Sequence, residues 1–122
     1  MKDKILAVIL LVLTLSLVVT NTLLLKKEIG KIEDSVSALD TREGGSSDDD
    51  AKAIYDKFKE KETYISMTVN HNDLTNIEES FAELIGYLSV NDYDGATVIK
   101  SRLLDALSHL RRLTGFNIDA II

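Results

Sequence analysis

Residues 5–25 read ILAVILLVLTLSLVVTNTLLL, twenty-one positions without a charge, with Lys2 and Lys4 before them and Lys26 and Lys27 after. At about 1.5 Å of rise per residue such a run makes a helix roughly 31 Å long, close to the hydrocarbon thickness of a bilayer. The flanking lysines stand where their ammonium groups reach lipid headgroups. The stretch predicts one transmembrane helix in contact with membrane lipid, tethering everything after it. A cleaved secretory signal is the competing reading, but such signals carry a shorter apolar core and then a small-x-small cleavage site. Here the run exits through Thr20-Asn21-Thr22-Leu23-Leu24-Leu25 without an Ala-x-Ala pattern, and there is no cysteine to acylate. An uncleaved signal anchor is expected. Its polar residues Thr14, Ser16, Thr20 and Asn21 are mild and can hydrogen-bond back to the helix; Ser16 and Thr20 make one small-xxx-small pair.

Lysines on the two flanks nearly balance, so counting them does not orient the helix. The form does: a basic tail of residues 1–4 ahead of an apolar core resembles exported proteins, with the N-terminus in the cytoplasm and the C-terminal module outside. Beyond the run, residues 26–122 hold 12 of the 14 Lys+Arg and 19 of the 20 Asp+Glu, a net charge of −7. That balance argues against nucleic acid and against an extended grip on anionic lipid. The chain has no proline, no cysteine and no tryptophan. Disulfide and metal-thiolate frameworks are therefore excluded, and the helical spacing of the apolar residues predicts an all-α module with a bundle core.

Leu25, Ile29, Ile32, Val36 and Leu39 step by fours and threes, an a/d seam over a membrane-proximal helix of residues 26–43. Two heptads are marginal alone in water, so this stripe must pack on a second copy of itself or on the next helix. Gly44-Gly45-Ser46-Ser47 then predicts a flexible link, an acidic linker of residues 44–50 in which Asp48, Asp49 and Asp50 complement the dipole of the following helix. A single long helix is expected from about Asp49 to Val90. One face is marked by Ile54, Phe58, Ile65 and Val69, a second by Leu74, Ile77, Phe81, Leu84, Ile85 and Leu88. The two faces meet out of register at Asn70-His71-Asn72-Asp73, where a kink or a restart capped by Asn72 or Asp73 is the alternative. A turn at 89–94 and a helix from about Asp94 to Thr114 follow. Gly115 reads as its αL terminator and Phe116, Ile118, Ile121 and Ile122 as an apolar tail folding back over the bundle end.

No motif announces chemistry. Asp48–Asp50 lacks the alternating ligands of a calcium loop. Asp92-Tyr93-Asp94-Gly95 matches only the middle of one, since Val90 and Ser101 would occupy its end-ligand positions. The two histidines are the sharpest candidates. A hairpin turning near residue 91 sets His71 and His109 at one level, with Asp73, Glu78 and Asp105 nearby as further ligands. Paired histidines in a bundle are more often interior hydrogen-bonded residues, and this reading assigns no catalytic, cofactor-binding or metal residue. Glu78 and Glu79 read as a solvated face opposite Arg111 and Arg112.

Three segments, His71-Asn72-Asp73-Leu74-Thr75-Asn76-Ile77-Glu78-Glu79-Ser80, Leu107-Ser108-His109-Leu110 and Phe116-Asn117-Ile118, carry a resemblance. The chain resembles the domain of unknown function 4363 family, small bacterial membrane proteins mainly of clostridial Firmicutes. It departs from them in having Tyr55 and Tyr64 where tryptophans are associated with the positions before the histidine. The resemblance implies one N-terminal transmembrane helix, a helical remainder and no activity. The expected whole is all-α: a transmembrane helix over 5–25 followed by an antiparallel hairpin module over 51–122, extended to three helices by residues 26–43. Function is expected in a non-catalytic envelope interaction or scaffold role without a cofactor, through a protein partner or a homodimer. The alternative is a small-ligand sensor or transporter accessory subunit using the bundle interior.

Overall fold

A computed structural model describes the backbone of residues 1–66 and 71–121 and the side chains of residues 1–62, 65 and 71–114. Four helices make up these residues: α1 (Lys2–Ser37), α2 (Asp48–Ser66), α3 (His71–Ser89) and α4 (Tyr93–Ile121). The first passes from the uncharged run into the amphipathic seam without a break. Every residue of 1–18 is exposed, whereas Ile29, Ile32, Val36 and Leu39 are buried. Leu, Ile and Val hold one helix through both environments, and only the outward face changes from apolar to charged. Within the run, the Thr14 and Thr22 hydroxyls donate to the carbonyls of Leu10 and Val18 at 2.8 and 2.9 Å.

The link after α1 is an ordered turn rather than the flexible one expected. Ser46 N–H donates to the Asp40 carbonyl at 2.8 Å, and Asp40 N–H donates to Ser46 Oγ at 2.9 Å. Gly44 supplies the left-handed step (φ +78), and Gly45 packs so closely that a Cβ there would stand 2.5 Å from the Asp40 carbonyl oxygen. Ser47 caps α2. Asp50 Oδ2 accepts its N–H at 2.8 Å while Ser47 Oγ accepts that of Asp50 at 3.4 Å, so Asp48–Asp50 form the first helical turn and not a linker.

The single long helix is not formed. The chain reverses between Ser66 and His71, and α2 lies antiparallel on α3. Tyr55 and Phe58 stack against Phe81 with ring centroids 5.2 and 5.7 Å apart. In one helix, 26 residues of separation would place Tyr55 about 39 Å from Phe81. Because α3 opens at His71, Asn72 and Asp73 belong to its first turn and do not cap it; Met67, Val69 and Asn70 lie outside the described residues. The reversal has a physical reason. The stripes on the two halves are out of register, so a straight helix would show them to different sides, whereas folding back closes both on one core.

The α3–α4 turn follows the sequence closely. Asn91 takes the left-handed conformation (φ 59), and Asp92 N–H reaches back to the Tyr87 carbonyl at 2.9 Å. Asp92 Oδ1 then accepts Gly95 N–H at 3.0 Å and caps α4. Gly95 is required here, because a Cβ would stand 2.7 Å from the Tyr87 ring. At its far end α4 does not stop at Gly115 but continues as helix to Ile121, so the residues read as a folded-back tail are its last turns; Ile122 lies outside the described residues.

The fold class expected from sequence, all-α with an apolar N-terminal helix and a helical module, is the one observed. The module has four helical segments instead of three: the C-terminal part of α1, then α2, α3 and α4, each packed on two neighbours in up-down-up-down order. Phe58, Ile65, Leu74, Ile77, Phe81, Leu84, Leu103, Leu107 and Leu110 fill its centre with essentially no exposure.

Candidate interaction surface

Polar contacts fasten α1 to α4. Lys100 Nζ donates to the Leu39 carbonyl at 2.6 Å, satisfying an acceptor just past the end of α1. Thr41 and Thr97 share a hydroxyl hydrogen bond at 2.7 Å. Arg111 Nε donates to Glu33 Oε2 at 2.8 Å, a half-buried ion pair toward the apolar end of α1. The partner of Arg111 is thus Glu33 on α1, not Glu78 or Glu79, because α4 turns this side to α1. Among the described residues every buried side-chain polar atom has a hydrogen-bond partner.

A second cluster spans α2 and α3. Glu78 hydrogen-bonds with Glu62, and that bond, together with burial and the repulsion of the second carboxylate, holds Glu78 above the ordinary carboxylate range. Lys59 and His71 oppose the rise. Lys59 lies 5.3 Å from the centre of the Tyr55 ring, and its hydrogen bond with Tyr55 raises its ammonium pKa. Sequence reasoning missed this pair, since sixteen residues separate two glutamates that only the reversal brings together.

The histidines are placed otherwise than expected. His71 is the first residue of α3 and His109 lies on α4, and both are exposed instead of interior. Asp105 is exposed as well, and no group of three His, Cys, Asp or Glu side chains able to hold a metal occurs among the described residues. The two acidic motifs serve helix ends: Asp50 at α2 and Asp92 at α4.

A half-open groove of about 590 Å³ lies between α1 and α2. Ile32 and Ile54 line it together with Lys31, Lys57 and Lys61 and with Glu28, Asp34 and Glu60. It exists because α1 and α2 are the least closely packed neighbours in the ring of four. Elsewhere the module presents a polar exterior. Its large exposed apolar side chains among the described residues are Val90 and Val98, so the exposed apolar stripe a scaffold would display is not formed there. A groove lined by two isoleucines and by both signs of charge can recognise an amphipathic segment carrying both signs of charge. No family model, curated protein or solved structure matches this chain.

Proposed function

We propose that this chain is a single-pass membrane protein whose four-helix module is a non-catalytic interaction or scaffold element. The module stands on the extracytoplasmic side and engages a protein partner or a second copy of the chain. One observation carries the reading: α1 runs unbroken from a fully exposed, uncharged segment into the buried seam of the bundle. An exposed run of that length and composition needs a hydrocarbon solvent, and the continuity makes the bundle a rigid extension of the anchor. The filled core supports a scaffold over a sensor that binds a ligand in the bundle interior. The basic residues 1–4 support the orientation, and the resemblance to the domain of unknown function 4363 family accords with the address. The alternative, a sensor or transporter accessory subunit, would have to use the α1–α2 groove.

Alkaline washing of membranes tests the anchor: the protein is expected to stay with the membrane and keep its first residues. A soluble form beginning near residues 23–26 would overturn it. Protease added to spheroplasts is expected to trim the module, and full protection beside a cleaved outside control would reverse the orientation. Cross-linking through a photoreactive side chain at Lys57 is expected to trap a protein on the groove.

A further inference from the structure

α4 is ten residues longer than α3 although both start from the same turn: 29 residues against 19. Packed antiparallel, they leave the last ten residues of α4 about 15 Å beyond the first residue of α3. Among the described residues, the element beside the start of this overhang is α1, since Arg111 pairs with Glu33 and lies over Gly30. Glu33 and Gly30 stand eight and five residues after Leu25, the last residue of the uncharged run, or about 12 and 8 Å above its edge. A descent of about 15 Å from Arg111 to Ile121 therefore carries the end of α4 past that edge by roughly 3–8 Å.

The sequence of the overhang suits that depth. Positions 103, 107, 110 and 114 of α4 are buried, and the same three- and four-residue steps continue to Ile118 and Ile121. A bundle end facing water gains nothing by extending an apolar line past its neighbours. The exposure of α1 changes at the matching level: Val19, Thr22 and Leu25, on one side of the helix, are half-covered, while every residue before them is open. Lys26 and Lys27 on α1 and Arg112 on α4 lie just above, where headgroup phosphates would stand.

We infer that the last turns of α4 are a second membrane contact, entering the headgroup–acyl boundary of a phospholipid bilayer beside α1. The occupant is lipid, at the depth of interfacial helices. The module is then held to the bilayer at two points, which fixes its tilt and its rotation about α1. This rests on the anchor reading, and the test separates the two. The chain has no tryptophan, so single reporters are clean. Full-length Ala120→Trp and Ile121→Trp, on adjacent faces of α4, are placed in phosphatidylcholine nanodiscs with or without acyl-chain bromines near the headgroup. Leu13→Trp with mid-chain bromines reports the anchor, and Val98→Trp the module. At least about twofold quenching is expected at 120 or 121, with Val98→Trp unquenched, as for an interfacial helix. Quenching of Leu13→Trp alone overturns the second contact and leaves the anchor. Loss of quenching at Leu13→Trp overturns both.

Discussion

Two passages of this chain, both free of proline, behave in opposite ways. From Leu25 to Lys26 the composition changes from apolar to charged, yet α1 continues through. Between Ser66 and His71 the sequence again shifts, from a highly charged helix to a more apolar one, and here the chain reverses. A change of composition therefore does not by itself decide where a helix ends here; the register of the buried stripe does. Leu25, Ile29, Ile32 and Val36 keep one face across the first passage. Across the second, Phe58 and Ile65 on one side and Leu74 and Ile77 on the other share a core only if the chain folds back.

The strongest way to break the comparison is Phe81→Ala. Phe81 is fully buried between Tyr55 and Phe58, so its loss leaves a cavity on the α2–α3 seam. A cost of about 3–5 kcal/mol is expected in denaturant unfolding of the full chain, a large share of the roughly 5–15 kcal/mol available to such a domain. Leu13→Ala, in the exposed part of α1, is expected to leave that transition unmoved. Equal effects would erase the distinction between the two regions.

Gly45→Ala asks whether the α1–α2 connection is built or merely flexible. Its Cβ would collide with the Asp40 carbonyl, and the turn must open at a cost of about 1–3 kcal/mol. A silent substitution would restore the flexible link. Gly30→Ala works in the other direction on the continuous passage. The new methyl would sit 3.8 Å from the Arg111 stem, an ordinary contact, and alanine favours helix by about 0.5–1 kcal/mol. A modest stabilisation is expected; destabilisation would mean that α1 needs a weak point where it enters the bundle.

The smallest effect sharpens the reversal by pH. In one straight helix Glu62 and Glu78 would stand about 24 Å apart and could not share a proton. Folded back, Glu78 is raised above its ordinary value of 4.5. A carboxyl that binds its proton more tightly in the folded state makes stability fall as pH rises above about 4.5, through the raised value. Glu78→Gln is expected to gain stability over the parent near pH 7, with the gain vanishing below about pH 4.5. A pH-independent difference between their melting curves would place the two carboxylates apart.

The anchor-length helix, the α1 seam, the Asp92 cap and the leucine faces of α3 and α4 were legible in the sequence, because each depends on residues within a turn or two of one another. Local spacing also marked the out-of-register join near His71. It could not say whether the join kinks or reverses, since both outcomes satisfy the same neighbours, and only burial of Tyr55, Phe58 and Phe81 together separates them. The helical continuation past Gly115 escaped for a similar reason. Glycine permits an αL stop without requiring one, and its cost inside a helix is only about 0.5–1 kcal/mol, so α4 continues. The Glu33–Arg111 and Glu62–Glu78 pairs join residues 78 and 16 positions apart. Composition and periodicity determined that this protein is helical and begins with an exposed apolar helix. Which charges meet and where the chain turns back were decided by packing, because those depend on distances between helices that no single helix encodes.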